Sequence, residues 1–177
     1  MTSADDVQDM REAVARELQD LSEDILWTEK AHFAEAEALA RTNLRLGLTS
    51  TIAASLAAAT VLTEVAPVIT GAAALVAAIT AGLLTFLKPQ EKETRHLTAG
   101  RELNALRVRA RQMIRIDLAP FVQPDPGSWL GFPAHVATEK ARIDGDAPGL
   151  SAAAFDRARA KIEAGHFSHE SDSTQGN

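Results

Sequence analysis

The sequence predicts an all-α protein: a long antiparallel helical hairpin with two membrane-crossing helices, a helical stalk, and short C-terminal helices. Three observations predict it. Glu64 is the single charged residue between Leu46 and Leu87. Apolar residues recur at helical spacing through the preceding segment, which has no Gly or Pro from Ser3 to Asn43. The flanks of the uncharged stretch carry opposite charge: Met1–Asn43 holds 4 basic and 11 acidic residues, net −7, and Lys88–Leu118 holds 8 basic and 4 acidic, net +4.

The first element is an amphipathic helix over residues 1–43, with Val7, Met10, Val14, Leu18, Leu21, Ile25, Ala36 and Leu39 as its apolar stripe. Nothing in its sequence stops it before the apolar region, so the helix can run on unbroken. The hairpin occupies residues 44–88. Its first run, Leu46–Thr63, extends roughly 27 Å at the ~1.5 Å rise of a helix, close to the ~30 Å hydrocarbon core of a bilayer. Its many Ser and Thr make insertion marginal. The second run, Val65–Leu87, is richer in Val, Ile, Leu and Phe and favours insertion by roughly 3 to 6 kcal/mol before small-residue losses, so it carries the first run in with it. Pro67 suits the first turn of a new helix, because the N–H it lacks would be unpaired there.

Arg41 and Arg45 precede the hairpin, and Lys88, Lys92 and Arg95 follow it. Basic residues beside short spans stay in the cytoplasm, so both termini are expected there, in the inner (plasma) membrane, with Glu64 at the outer tip. A cytoplasmic helix over residues 89–119 follows, with His96, Leu103, Leu106, Ala110 and Met113 as its stripe and Pro120 ending it. Residues 120–166 form a loop anchored by Trp129 and Phe132, then short helices near Ala134–Ile143 and Ser151–Ala164, the latter capped by Ser151 or its neighbour. The polar tail, residues 167–177, is expected to be disordered.

If the hairpin pivots near Glu64, facing residues have numbers totalling roughly 128 on simple antiparallel geometry. That register sets Glu35 opposite Arg95, Glu29 opposite Arg101, Asp20 opposite Arg109, Glu17 opposite Arg111, and His32 opposite His96. Exposed ion pairs contribute only ~0 to 1 kcal/mol each, so the apolar stripes hold the stalk while charge selects the partner.

Small residues recur every four positions: Ser50, Ala54 and Ala58 in the first run, Ala74, Ala78 and Gly82 in the second. Such rows let helix backbones approach closely in lipid. They either seat the two spans of one hairpin or leave room for neighbours, and a homo-oligomer is expected. Thr49, Thr60 and Thr63 fall near one face, with Glu64 just beyond, and are the candidate lining of a water-filled path. Thr is equally at home in a membrane helix by bonding back to its own backbone.

The chain has no Cys, which excludes disulfides, Cys-ligated zinc and thiol nucleophiles. Five His without an acidic cluster at ligand spacing point to satisfied or surface side chains rather than metal ligands. No phosphate-binding loop or dinucleotide motif occurs, and Gly127–Gly131 lacks the spacing of a nucleophile elbow. The expectation is no enzyme activity, no cofactor and no nucleic-acid partner. Residues 1–43 are acidic and polar, unlike a secretory signal.

With the helix that contains Trp27, the lead-in Arg41-Thr-Asn-Leu-Arg-Leu-Gly47, the Ala-rich hairpin, the helix from Lys88, and the closing Phe155-Asp-Arg-Ala-Arg-Ala-Lys-Ile-Glu-Ala-Gly165, the chain resembles the SLATT family. These are bacterial two-transmembrane proteins associated with nucleotide second-messenger defence systems. The resemblance covers nearly the whole chain as a pattern, without catalytic signatures. It implies a pore-forming or membrane-perturbing effector in antiphage (antiviral) defence, triggered by a separate nucleotide-signal synthase or sensor. Two other readings fit the residues: a membrane-anchored scaffold recruiting a soluble partner, and a soluble helical adaptor in which the uncharged runs are the buried centre of a bundle.

Overall fold

A computed structural model describes residues 4–62, 67–119 and 126–164. The regular elements among them are all helical. They are α1 (Ala4–Leu62), α2 (Pro67–Leu87), α3 (Pro89–Gln112), a π-helical turn (Met113–Asp117), α4 (Pro126–Trp129), α5 (Gly131–Asp146) and α6 (Ala152–Glu163). The chain divides into two compact units: unit 1 is Met1–Glu35 with His96–Asn177, and unit 2 is Ala36–Arg95.

Helix α1 begins with Asp5 and Asp6 in its first turn, where carboxylates complement the positive end of the helix dipole. It does not stop at Asn43. No Pro interrupts it, and Gly47, inside an otherwise strong helix former, costs only ~1 kcal/mol, too little to end it. Helix α2 opens on Pro67, as its missing N–H favours, and ends at Leu87, just before Lys88. Lys88 has φ 47, the one non-glycine residue with positive φ among those described. Pro89 disfavours a right-handed helical residue before it, which keeps α2 from running on through Lys88. Lys88 N–H still donates to Leu84 O at 3.1 Å, and its own carbonyl accepts from Lys92 N–H at 3.2 Å. One residue thus closes α2 and opens α3.

Unit 1 is built around an apolar core contributed by Val14, Leu18 and Ile25 of α1, and Ala99, Leu103, Leu106 and Ala110 of α3. Met113, Leu118, Trp129, Val136 and Ile143 complete it. Leu18, Ile25 and Leu103 have no exposed surface, and burying such a side chain contributes about 1.5 to 3 kcal/mol. Trp129 is 2% exposed, in the anchoring role its loop suggested, and the Arg11 guanidinium lies 5.1 Å from its ring centre. Within the expected helix over residues 89–119, regular α3 gives way after Gln112 to the π-helical turn Met113–Asp117. The last turn widens, Leu118 N–H reaching Met113 O at 2.9 Å, and both Met113 and Leu118 lie in the core. Pro120, the expected stop, and the tail lie outside the described residues. Helix α6 is capped by Ser151, whose Oγ accepts from Ala154 N–H at 3.2 Å.

In unit 2 the part of α1 after Glu35 packs antiparallel to α2. Ser50 Oγ donates to Ala77 O at 3.3 Å, and farther along α1 Thr60 meets the earlier residue Thr70, whose Oγ1 donates to Thr60 Oγ1 at 2.8 Å.

Candidate functional site

The two helices of unit 2 meet along a seam of small side chains. Ser50, Ala53, Ala57 and Thr60 of α1 face Thr70, Ala73, Ala77 and Thr80 of α2, and all of these are buried or half-buried. The spacing alternates three and four, the repeat that keeps one stripe of a helix against its partner. Polar atoms inside the seam are satisfied without water. Thr60 Oγ1 donates to the carbonyls of Leu56 and Ala57, and Thr80 Oγ1 to those of Val76 and Ala77, at 2.8 to 3.1 Å. Back-bonding of this kind is what lets hydroxyl side chains sit in an apolar medium.

The large aliphatic side chains point the other way. Leu48, Ile52, Leu56 and Val61 on α1, and Val68, Ile69, Leu75, Ile79 and Phe86 on α2, are all exposed, with Val68 at 82% and Phe86 at 86%. Both helices are long and apolar enough to cross a membrane, and only 11% and 6% of their most apolar stretches are buried. A soluble bundle would bury Leu, Ile and Phe and expose the polar seam; this unit is built inside out. An apolar groove of about 610 Å³ runs along its surface between Ile52, Leu56, Ile69 and Val76.

At one end of this belt stands a polar collar. Arg45, Lys92 and Arg95 are exposed, Arg41 pairs with Glu37 at 2.6 Å, and Lys88 pairs with Glu91 at 3.3 Å. A groove of about 810 Å³ lies there, with Asn43, Leu84, Lys88 and Arg95 among its walls. The belt ends and the collar begins within Phe86, Leu87 and Lys88.

The residues singled out from the sequence fall into three sets. Thr49 is exposed and lines the apolar groove, whereas Thr60 is buried in the seam. Thr63 and Glu64 lie outside the described residues. Of the small-residue rows, Ser50 is in the seam, but Ala54, Ala58, Ala74, Ala78 and Gly82 are exposed. A strict four-residue row inclines across a helix and leaves the contact line after one step. The alternating row of Ala53, Ala57, Ala73 and Ala77 does the seating, and its three-four spacing with flanking Thr was the signal that could have found it.

The stalk ion pairs also differ from the simple register. Glu29 was set opposite Arg101; its carboxylate, 1% exposed, instead accepts from Arg107 Nε at 2.9 Å and Lys30 Nζ at 2.6 Å. Glu35 was set opposite Arg95; it accepts from Ser151 Oγ at 2.7 Å and Arg157 at 3.0 Å. Glu17 does not pair with Arg111, nor Asp20 with Arg109. A numbering register fixes only the level of a residue along the helix axis. A pair also needs both side chains beside the seam, and Glu17, Asp20, Arg101 and Arg109 are exposed.

His32 and His96 do meet. Their Nδ1 atoms are 2.9 Å apart, with the rings 2% and 4% exposed and their centres 5.2 Å apart. One Nδ1 carries the proton and the other accepts it, so the pair is satisfied when neutral. Burial, and next the neighbouring His96, push His32 down to about 4, with Asp144 opposing. Beside them Gly100 admits Phe33, whose ring lies 3.0 Å from where a Cβ would stand. No group of three His, Cys, Asp or Glu among the described residues is arranged to hold a metal ion.

No family model matches this chain, and neither a curated protein nor a solved structure does.

Proposed function

We propose that the chain is a two-span protein of the bacterial inner membrane, with both termini cytoplasmic, that assembles with copies of itself and acts as a pore-forming or membrane-perturbing effector. Its trigger in this reading is a separate protein that makes or senses a nucleotide signal in antiphage defence, as the resemblance to the SLATT family implies. The observation that carries the membrane part is the inverted packing of unit 2. Thirteen or so large aliphatic and aromatic side chains would otherwise face water, at a cost of about 25 cal/mol for each Å² of apolar surface. Lipid removes that cost, and the self-satisfied hydroxyls of the seam need no water in return.

The effector part rests on the seam being small and polar. Close-packed Ala and Thr hold the spans together by short-range contact alone, because lipid supplies no hydrophobic drive between helices. A signal that shifts this packing exposes Ser50, Thr60, Thr70 and Thr80 to one another's side of a path, a hydroxyl-lined surface water can wet. The soluble-adaptor reading lacks any covering for the outward aliphatics. The scaffold reading shares the membrane part and differs in its consequence: neutral overexpression rather than depolarisation.

Two measurements separate these readings. Carbonate extraction should leave the chain in the membrane pellet; release into the supernatant would remove the membrane reading. Reconstituted into liposomes with a trapped dye, the chain should leak on addition of its trigger, and Thr60→Leu with Thr80→Leu should reduce that leak about tenfold or more. Vesicles that stay tight while the chain retains a co-purifying soluble protein would favour the scaffold.

A further inference from the structure

The opposite charges of the two flanks are left largely unspent inside unit 1. The core side of α1 is marked by Val14, Leu18 and Ile25, and that of α3 by Leu103, Leu106 and Ala110. At ~100° per residue, Asp20 and Glu23 lie on the side of α1 away from that core, and Arg101 lies on the side of α3 away from it, with Arg109 and Arg111 toward its edges. Asp20, Glu17, Glu23, Arg101 and Arg109 are exposed, and Arg111 is half-buried. None of these six makes an ion pair with another described residue, in contrast to Glu29, Glu35, Asp24, Glu102 and Glu139, all of which do. Val108 and Ile116, 42% and 56% exposed, sit among the arginines.

From this complementarity we infer that the outward basic face of α3 is a docking surface for a second copy of this chain, which lays its outward acidic α1 face on it. The partner is argued from charge: the face of α1 that carries Asp20 and Glu23 is acidic on balance, with Arg16 among its carboxylates, and the α3 face that would receive it has Arg101 near its middle, Arg109 and Arg111 at opposite edges, and Val108 between them. Arginine with exposed apolar neighbours is a composition enriched at protein interfaces. Because a chain offers one face of each kind, every contact joins unlike faces, and a copy that does not return both to the same partner keeps one for the next. This deepens the self-association in the functional reading above, and the two fail separately: carbonate extraction reports on the apolar belt, and the experiment below reports on the charged faces.

The test uses the full chain in detergent micelles, with mass read by light scattering. One variant carries Glu17→Lys, Asp20→Lys and Glu23→Lys; the other carries Arg101→Glu, Arg109→Glu and Arg111→Glu. Each alone presents two faces of like charge and should lose self-association by on the order of a hundredfold. Mixed, they should recover it as alternating assemblies with equal numbers of each. Raising salt should weaken the unaltered assembly about tenfold. Since the chain has no Cys, a disulfide-trapping measurement guards against misfolded variants: Asp20→Cys or Glu23→Cys on one tagged copy should cross-link to Arg101→Cys or Arg109→Cys on another. The inference is overturned by an unaltered chain that is monomeric, by reversed variants that associate as the unaltered chain does, by absence of every cross-link between copies, or by an acidic soluble protein that co-purifies and is released by the α3 reversal.

Discussion

Glu29 shows why a buried charge matters more by its partners than by its sign. It is 1% exposed and holds both Arg107 and Lys30, whose side chains are 15% and 13% exposed. Removing it takes the carboxylate away from Arg107 in a poorly hydrated place, so Glu29→Ala should destabilise unit 1 by roughly 3 kcal/mol. Replacing Glu29 and Arg107 together by Met should recover most of that loss; thermal melts of the single and double variants in detergent check it. His32 supplies a pH dependence. Its folded value of about 4 lies below the ordinary 6.5, so between those values the unfolded chain binds more protons than the folded one. The stability that its neutral state gives is complete above pH 6.5 and is lost as pH falls toward 4, by up to ~3 kcal/mol. The melting temperature should therefore drop between pH 7 and pH 4.5, and His32→Gln should flatten that drop; an undiminished slope in the variant would count against the assignment.

At the scale of helices, unit 2 separates two functions of small residues. Ala53 and Ala73 are 6% and 7% exposed, while Ala54 and Ala74 one position on are exposed. Ala53→Leu should force the helices apart and cost about 1 to 3 kcal/mol, whereas Ala54→Leu should leave hairpin stability nearly unchanged. Resistance of the hairpin to SDS, read by circular dichroism, distinguishes the two. Lys88 is the strained joint between α2 and α3, with φ 47 in a residue that carries a Cβ. Lys88→Gly should relieve that strain and stabilise the joint by about 1 kcal/mol less the entropy that Gly adds to the unfolded chain, a near balance; Lys88→Val, β-branched at the same φ, should destabilise by more than 1 kcal/mol.

For the molecule as a whole, the decisive property is which side of a helix faces out. Ile79, 53% exposed, lies well inside the belt, and Ile79→Lys should cost roughly 3 kcal/mol of insertion and shift part of the chain out of the membrane pellet. The same substitution at Leu44, 69% exposed and next to Arg45, should do far less, because a Lys there reaches the collar. Comparing the pelleted fraction of the two variants tests whether depth, rather than exposure alone, sets the penalty.

The sequence alone determined the helices and their order. Helical periodicity, the uncharged runs, Pro67, Pro89 and Ser151 are local signals, and each acts through its own backbone within a turn or two. The level at which His32 meets His96 was legible for the same reason, since axial position depends only on residue count and rise. Tertiary structure decided azimuth. Whether Ser50 or Ala54 faces α2, whether Glu29 takes Arg101 or Arg107, and whether Thr60 looks outward or into the seam depend on how each helix is rotated about its axis. That rotation is fixed by the summed packing of many weak contacts with another element, and no window along one strand of sequence contains them.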